Sequence, residues 1–441
     1  MSMTGVLKPV TALLLATAIL MLGAGLQGVL LPLRAQIDGF TDVHIGIIGS
    51  AYFLGQLGGC LFAPNVISRV GHIRAFAAFS AIASTTPLIH AMSADAIVWF
   101  VLRLINGAAF AGVLLVIESW LAAASEQETR GSVLGAYTLV HLTVVMAGMQ
   151  MIGLQSPSEF ELFSLVAVLF SLAALPIALT AAIAPVPPKR AKLRLGWLFY
   201  ISPAAWTAAF LSGFINGAFW MMAPVFAKSA GMATRDIALF IASGVLAGAV
   251  AQWPIGMLSD RFGRRSFLAV LSLIAAGAAA GLVVTDVSQI VLLFVFIAIF
   301  GAANFPIYIL ALAHANDLVS KRRAVEIASS LLLIFSIGAV IGPVAASISM
   351  DAFGASAMFV TTAIAHLAIA GVVAVRGSIR PEIPEQNKED FVLVPRTTPA
   401  IYEMDPRTDP VAEFPEPDQP EPPPLAPAEV GDAEQNATTT V

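Results

Sequence analysis

The sequence predicts an all-α membrane protein whose twelve transmembrane helices form two pseudo-symmetric six-helix bundles. Three observations carry this: a composition too apolar for a water-facing surface, twelve apolar runs of spanning length, and basic residues gathered on one side of those runs. Of 441 residues, 58% are hydrophobic and 12% charged, whereas a soluble protein carries about twice that charge. The net charge of -5 conceals a division, because residues 376–441 hold 14 of the 28 acids and only 5 of the 23 bases. The body is therefore net positive, which suits loops beside anionic lipid and not a nucleic-acid surface. One cysteine, Cys60, excludes an internal disulfide and any Cys-rich metal site. No cofactor is expected.

About 20 apolar residues cross a bilayer. On that measure the first six spans lie near 10–33, 44–66, 75–92, 96–121, 132–154 and 160–184. The second six lie near 202–225, 236–258, 266–284, 288–314, 324–349 and 354–375. The first run is longer than a signal-peptide core and is followed by many others, so it reads as a span. The expected organisation is an N-terminal bundle over 1–184, a basic linker over 185–201, a C-terminal bundle over 202–375 and an acidic, Pro-rich tail over 376–441. That tail holds 13 of the 27 prolines, a composition that predicts disorder.

Gly256-Met257-Leu258-Ser259-Asp260-Arg261-Phe262-Gly263-Arg264-Arg265 is the most informative stretch. Three Arg in five positions cannot sit in hydrocarbon, so two helices stop there, on the side where Lys and Arg collect. With both termini on that side, 19 bases fall with it, Arg34, Lys228 and Arg235 fall opposite, and Arg103 lies within a span. This asymmetry predicts a multi-pass membrane protein with cytoplasmic termini. The halves also repeat at a shift of 192–194: Val70-Gly71 aligns with Phe262-Gly263, Gly107 with Gly301, and Arg130 with Arg323. Such repeats are a mark of secondary transporters.

On these motifs the chain resembles the major facilitator superfamily, in a drug-efflux-like or uncharacterised bacterial inner-membrane branch. That family carries GxxxDRxGRR between helices 2 and 3 and between 8 and 9. The second copy matches in full at Gly256, Asp260, Arg261, Gly263, Arg264 and Arg265. The first has Pro64 for Gly and Ser68 for Asp, keeping Arg69 and Gly71. Arg103 to Gly107 is similar to the RxxxG element of helix 4. Gly338, Gly342 and Pro343 resemble the GxxxGP element of antiporters, here on helix 11 and not helix 5. The resemblance implies a non-enzymatic, monomeric carrier with a gate built from the motif residues.

Arg103 lies about 10 Å inside helix 4 at 1.5 Å per residue, where a charge requires a partner or a wet cavity. Phe110 and Glu118 follow on nearly the same face. Glu118, about 22 Å further along the axis, needs a partner from elsewhere. The resemblance offers Arg69 or Arg74, as a structural salt bridge or as a gate, and proton carriage is a third role. Asp260 is expected to face the positive start of a neighbouring helix, and Asp317 to pair with Arg264 or Arg265. Gln27, Asn106, His141, Asn216, Trp220, Gln252 and Asn304 are polar or amphipathic groups inside spans. They serve as helix-to-helix hydrogen-bonding groups or as the substrate pathway.

The expected function is secondary active transport of a small solute by alternating access, coupled to protons, with export of amphipathic or drug-like compounds foremost. Uptake of a carboxylate-bearing solute and a non-transporting sensor or scaffold are the alternatives. No Walker A motif, HExxH or GxSxG elbow directs the reading towards an ATP-driven pump or an enzyme.

Overall fold

The computed structural model describes residues 10–180, 185, 193–319, 323–379 and 392–405, and statements of absence below refer to these. Twelve helices among them are long and apolar enough to span a membrane. In the first half they are α1 (Thr11–Ile37), α2 (Asp42–Val70), α3 (His72–Met92), α4 (Ala96–Ala124), α5 (Arg130–Gln150) and α6 (Glu161–Leu172, continued by Ala174–Ala178). In the second they are α7 (Pro203–Ser229), α8 (Thr234–Phe262), α9 (Arg264–Val284), α10 (Ile290–Asn304, continued past Phe305 by Pro306–Asn316), α11 (Ala324–Phe353) and α12 (Ala357–Ile379). Several outrun the apolar windows by three or four residues. Backbone hydrogen bonding continues where the side chains turn polar, as at Arg34 to Ile37 and Ser259 to Phe262.

Local chemistry sets the starts and stops. The Thr41 hydroxyl accepts from the amide of His44 ahead of α2, and Asp95 accepts from those of Ile97 and Val98 ahead of α4, satisfying orphan donors of the first turn. Pro203 opens α7 at a position whose missing amide costs nothing. Gly71 and Gly263 stop α2 and α8 at φ +84° and +99°, a region open to glycine. The same backbone turn therefore occurs in both halves, although Ser68 replaces the Asp of the first motif.

Glycines record the duplication in packing. A Cβ on Gly25 would lie 2.0 Å from the Val145 carbonyl oxygen, and one on Gly148 would lie 2.1 Å from that of Leu22, joining α1 to α5. At the shifted positions, Gly217 meets the Ala339 oxygen at 2.3 Å and Gly342 that of Phe214 at 1.9 Å, joining α7 to α11. Gly107 meets the Tyr52 oxygen at 2.0 Å between α4 and α2, as Gly301 meets Gly244 at 1.9 Å between α10 and α8. Each pair of helices touches backbone to backbone, which small residues alone permit. Gly338 and Gly342, expected at a gate, thus lie at a contact within the second half. On α9, Gly281 packs on Phe296, with a Cβ 2.5 Å from its ring, whereas Gly277 meets nothing within 4 Å.

Large apolar side chains such as Leu139, Val250, Trp253 and Ile364 stand exposed on the outside of the bundles, as a lipid-facing surface requires. Two findings depart from the sequence reading. Leu195–Ile201, within the stretch read as linker, is helical with Leu198 buried. Residues 392–405, within the tail read as disordered, end in a 3-10 turn, Pro399–Met404, whose Ile401 and Met404 are fully buried. Proline content misleads here because the apolar set Val392, Leu393, Val394, Ile401 and Tyr402 finds a site against the helices. The remainder of the tail and the bases Lys8, Lys189, Arg190, Lys192, Lys321 and Arg322 lie outside the described residues.

Candidate functional site

A cavity of about 290 Å³ lies between the halves. Its walls come from α1, α2, α4 and α5 on one side and α7, α8, α10 and α11 on the other, with residues 393–397 of the tail across it. Of the expected pathway residues, Gln27, Arg103, Phe110, His141, Asn216, Trp220 and Gln252 line it. Asn106 does not: its amide donates to Thr86 Oγ1 at 2.8 Å, a bond between α4 and α3. Nor does Asn304, which is fully buried beside the break in α10. Spacing on a helix fixed the face of each residue but not which neighbour covers that face.

Arg103 is the one charged side chain that the spans contribute to the lining. Its guanidinium sits 4.2 Å from the centre of the Tyr52 ring, and one nitrogen lies 3.4 Å from Asn106 Oδ1. No described carboxylate lies within ion-pair distance of it. A cation over an aromatic face recovers up to about 2 kcal/mol when desolvated, short of what losing its hydration costs. A negative or hydrogen-bond-accepting solute group is the natural complement. The remaining walls are largely apolar and aromatic, with Phe53, Phe305 and Phe335 joining Phe110 and Trp220. Tyr52, Phe53, Gln56, Phe305 and Phe335 were missed by sequence reasoning, since aromatic residues in spans are abundant and only tertiary packing selects these.

One end of the cavity is sealed. There the Gln36 amide donates to Ser229 Oγ at 3.1 Å, and the Gln150 amide to the Ala238 carbonyl at 3.3 Å. Gly46 packs so closely on α11 that a Cβ would meet Ser347 Oγ at 2.1 Å. At the other end, which carries Arg69, Arg74, Arg261, Arg264 and Arg265, Thr398 and Tyr402 of the tail stand between Glu118 of one half and Tyr308 of the other.

At that basic end the two motif copies behave differently. In the second half Arg264, 1% exposed, reaches Asp260 at 2.9 Å and Asp317 at 3.1 Å. Asp317 thus pairs with Arg264, and Asp260, in the last turn of α8, meets the first residue of α9. In the first half His72 stands at the position of Arg264. It bonds Ser119 Oγ at 3.2 Å and meets Trp120 edge-on at 5.9 Å. Arg69 and Arg74 are exposed and do not reach Glu118. Glu118 is fully buried and instead accepts from the Tyr137 hydroxyl at 2.6 Å and from the hydroxyl of Thr398 in the tail. Ser68 and His72 stand where the second half has Asp260 and Arg264, so the ion cluster of the second half has no counterpart in the first.

The tail segment continues across to the other half. Tyr402 OH lies 2.8 Å from Tyr308 OH. The Arg396 guanidinium stands 5.3 to 5.8 Å from the ring centres of Phe335, Phe305 and Tyr308. The sequence signal was present as two apolar islands in an acidic stretch, around Val392 to Val394 and Ala400 to Tyr402.

Twelve spans, duplicated halves and a cavity between them define the class, a multi-pass membrane transporter. The sequence profile of the Major Facilitator Superfamily matches residues 13–330 and 205–412, and the chain belongs to that family. It is similar to an uncharacterized MFS-type transporter, YcaD, of Salmonella newport, at 27% identity over 81% of this chain and 92% of that protein. The YcaD protein of Escherichia fergusonii is 26% identical over the same shares. Among solved structures, the nucleoside transporter NupG shares the fold with a TM-score of 0.70 at 14% identity, covering 83% of this chain and 98% of that one. A bacterial homologue of the human lysosomal transporter Spinster, in an inward-facing and occupied conformation, gives 0.69 at 18% identity, covering 86% and 97%.

Proposed function

We propose that this protein is a proton-coupled secondary transporter of the bacterial inner membrane that exports small amphipathic solutes by alternating access. The observation that carries the reading is the cavity between the bundles, sealed at one end, apolar over most of its wall and holding one spanning cation, Arg103. Apolar and aromatic walls accept the solute's hydrophobic part, while Arg103, stacked on Tyr52, receives a carboxylate or another acceptor group. Rocking of the bundles about this midplane site would open it to each side in turn.

The basic end is the cytoplasmic one on this reading, since Lys and Arg collect there. The described state is then open inward, with both termini cytoplasmic and the working unit a monomer. Coupling is assigned to Glu118, the buried carboxyl of the first half, which hydroxyl groups hold and no described cation pairs. A carboxyl in that setting exchanges a proton more readily than one locked by arginine. Arg103 also favours a second reading, uptake of a carboxylate-bearing solute through the same site. A sensor or scaffold would use the fold without moving anything.

The test is counterflow in proteoliposomes of a ligand that raises the melting temperature of the purified protein, under imposed pH gradients of either sign. Export by proton exchange is expected to accelerate when the compartment opposite the basic end is acidic, and symport to show the reverse dependence. Binding without flux under any gradient would refute transport.

A further inference from the structure

We propose that residues 392–405 are a built-in plug: the vestibule at the basic end is a peptide-binding site, its occupant is this chain's own tail, and occupancy locks the bundles apart. The segment is held on both sides. Thr398 bonds Glu118 of α4, while Tyr402 bonds Tyr308 of α10. Arg396 lies over Phe335 of α11 and Phe305. Val394, Thr398, Ile401 and Met404 are as buried as the helix core, at 0% exposure.

This burial differs from that of a tail lying on a surface. The 3-10 turn satisfies part of its own backbone, with the Ile401 amide bonded to the Thr398 carbonyl and that of Asp405 to Tyr402. Its apolar side chains enter the vestibule, and its hydroxyls meet the Tyr308 hydroxyl and Glu118 Oε2, the carboxylate oxygen that Tyr137 does not bond. An unmet buried polar group costs about 1–3 kcal/mol, so the vestibule and the segment complement each other chemically.

The consequence is mechanical. Closing the basic end requires the wall bearing Glu118 and Tyr137 to approach the wall bearing Tyr308 and Phe335, and the segment fills the space between them. The plugged protein cannot leave its present state until residues 392–405 withdraw. Twelve residues, 380–391, connect α12 to the segment. They span up to about 40 Å when extended, enough for withdrawal while tethered. The tether also keeps the plug at about millimolar effective concentration, so release would need a competing ligand, a partner for the tail or a modification of it. The binding does not depend on the direction of transport or on proton coupling.

The test uses the full chain in nanodiscs, comparing wild type with an Ile401→Asp, Tyr402→Asp double variant that places charge at two buried plug positions. Three readouts are taken. Trypsin should cut after Arg396 at least about tenfold faster in the variant, as expected when burial no longer shields it. A fluorescent synthetic peptide of residues 392–405 should bind the variant saturably, with no binding to wild type, whose site is filled. Spin labels at Ala124→Cys and Leu318→Cys in a Cys60→Ala background should show a shorter-distance population in the variant that wild type lacks, and added peptide should abolish it. Equal trypsin rates, or failure of the peptide to bind the variant, would overturn the binding site. Identical distance distributions would overturn the lock and leave any measured solute flux unaffected as evidence for transport.

Discussion

Arg264 Nη1 lies 3.1 Å from Asp317 Oδ1, with 1% and 2% of the two side chains exposed. Asp260 completes the cluster at 2.9 Å from Nη2 of the same arginine. The pair ties the turn between α8 and α9 to the end of α10, so it holds the second half together at the end where the bundles part. Removing Asp317 leaves the buried guanidinium with the more exposed Asp260, a partial loss of a pairing whose complete loss costs about 3–5 kcal/mol. Asp317→Asn is therefore expected to lower the melting temperature of the purified protein clearly. Arg69→Ala, which removes an exposed group of the first motif copy, is expected to change stability by no more than about 0.5 kcal/mol. Equal melting temperatures for the two variants would remove the asymmetry between the motif copies.

The backbone contacts at glycine invite a sharper comparison. Gly148→Leu and Gly342→Leu each drive a side chain into a carbonyl less than 2.2 Å from the new Cβ. Both are expected to prevent α1 from packing on α5, or α7 on α11, and to yield aggregated protein on size-exclusion chromatography. Gly277→Ala meets open space, and in a helix interior it should be neutral or stabilising by about 0.5–1 kcal/mol. A monodisperse Gly342→Leu protein would show that the helices are not in backbone contact.

Ligand recognition turns on Arg103. Compounds that stabilise the protein are expected to be amphipathic and to carry a carboxylate or similar acceptor. A ligand at a hundredfold excess over its dissociation constant contributes about 2.7 kcal/mol, readily seen as a thermal shift. Arg103→Ala should abolish that shift for anionic ligands. Arg103→Lys should retain part of it, because a compact ammonium keeps the charge but loses the flat stacking on Tyr52. Unchanged shifts in Arg103→Ala would move the solute site elsewhere.

Glu118→Gln keeps the size and hydrogen-bonding capacity of the side chain and removes its titration. In proteoliposomes this variant is expected to exchange labelled for unlabelled solute while losing stimulation by a pH gradient. Retained stimulation would assign coupling to another group, such as His141, which lines the Arg103 cavity.

The architecture was legible because a bilayer imposes it. Run length, the basic turn at Asp260 to Arg265 and the shifted pairs such as Gly107 and Gly301 each report a constraint that one segment must meet by itself. The site was legible only in part, because its membership depends on neighbours. Asn106 and Arg103 are one turn apart on α4, yet one bonds into α3 and the other faces the cavity. Tyr52 became visible as the platform for Arg103 only when α2 and α4 were brought together. Glu118 needs partners from outside its helix, and they are Tyr137 of α5 and Thr398, 280 residues away in a tail whose composition argues against order. The short apolar islands around Val394 and Ile401 carried the signal that prolines and acids masked.

Transport as proposed is the rocking of two bundles about the Arg103 cavity. The most direct measurement places spin labels at Leu154→Cys and Ala233→Cys, across the sealed end, in the Cys60→Ala chain carrying Ile401→Asp and Tyr402→Asp. A parallel sample carries labels across the basic end at Ala124→Cys and Leu318→Cys. On adding a stabilising ligand, the expected result is reciprocal: the distance across the sealed end lengthens in a growing population while the distance across the basic end shortens. Distances that stay fixed at both ends, or that change at only one, would contradict it.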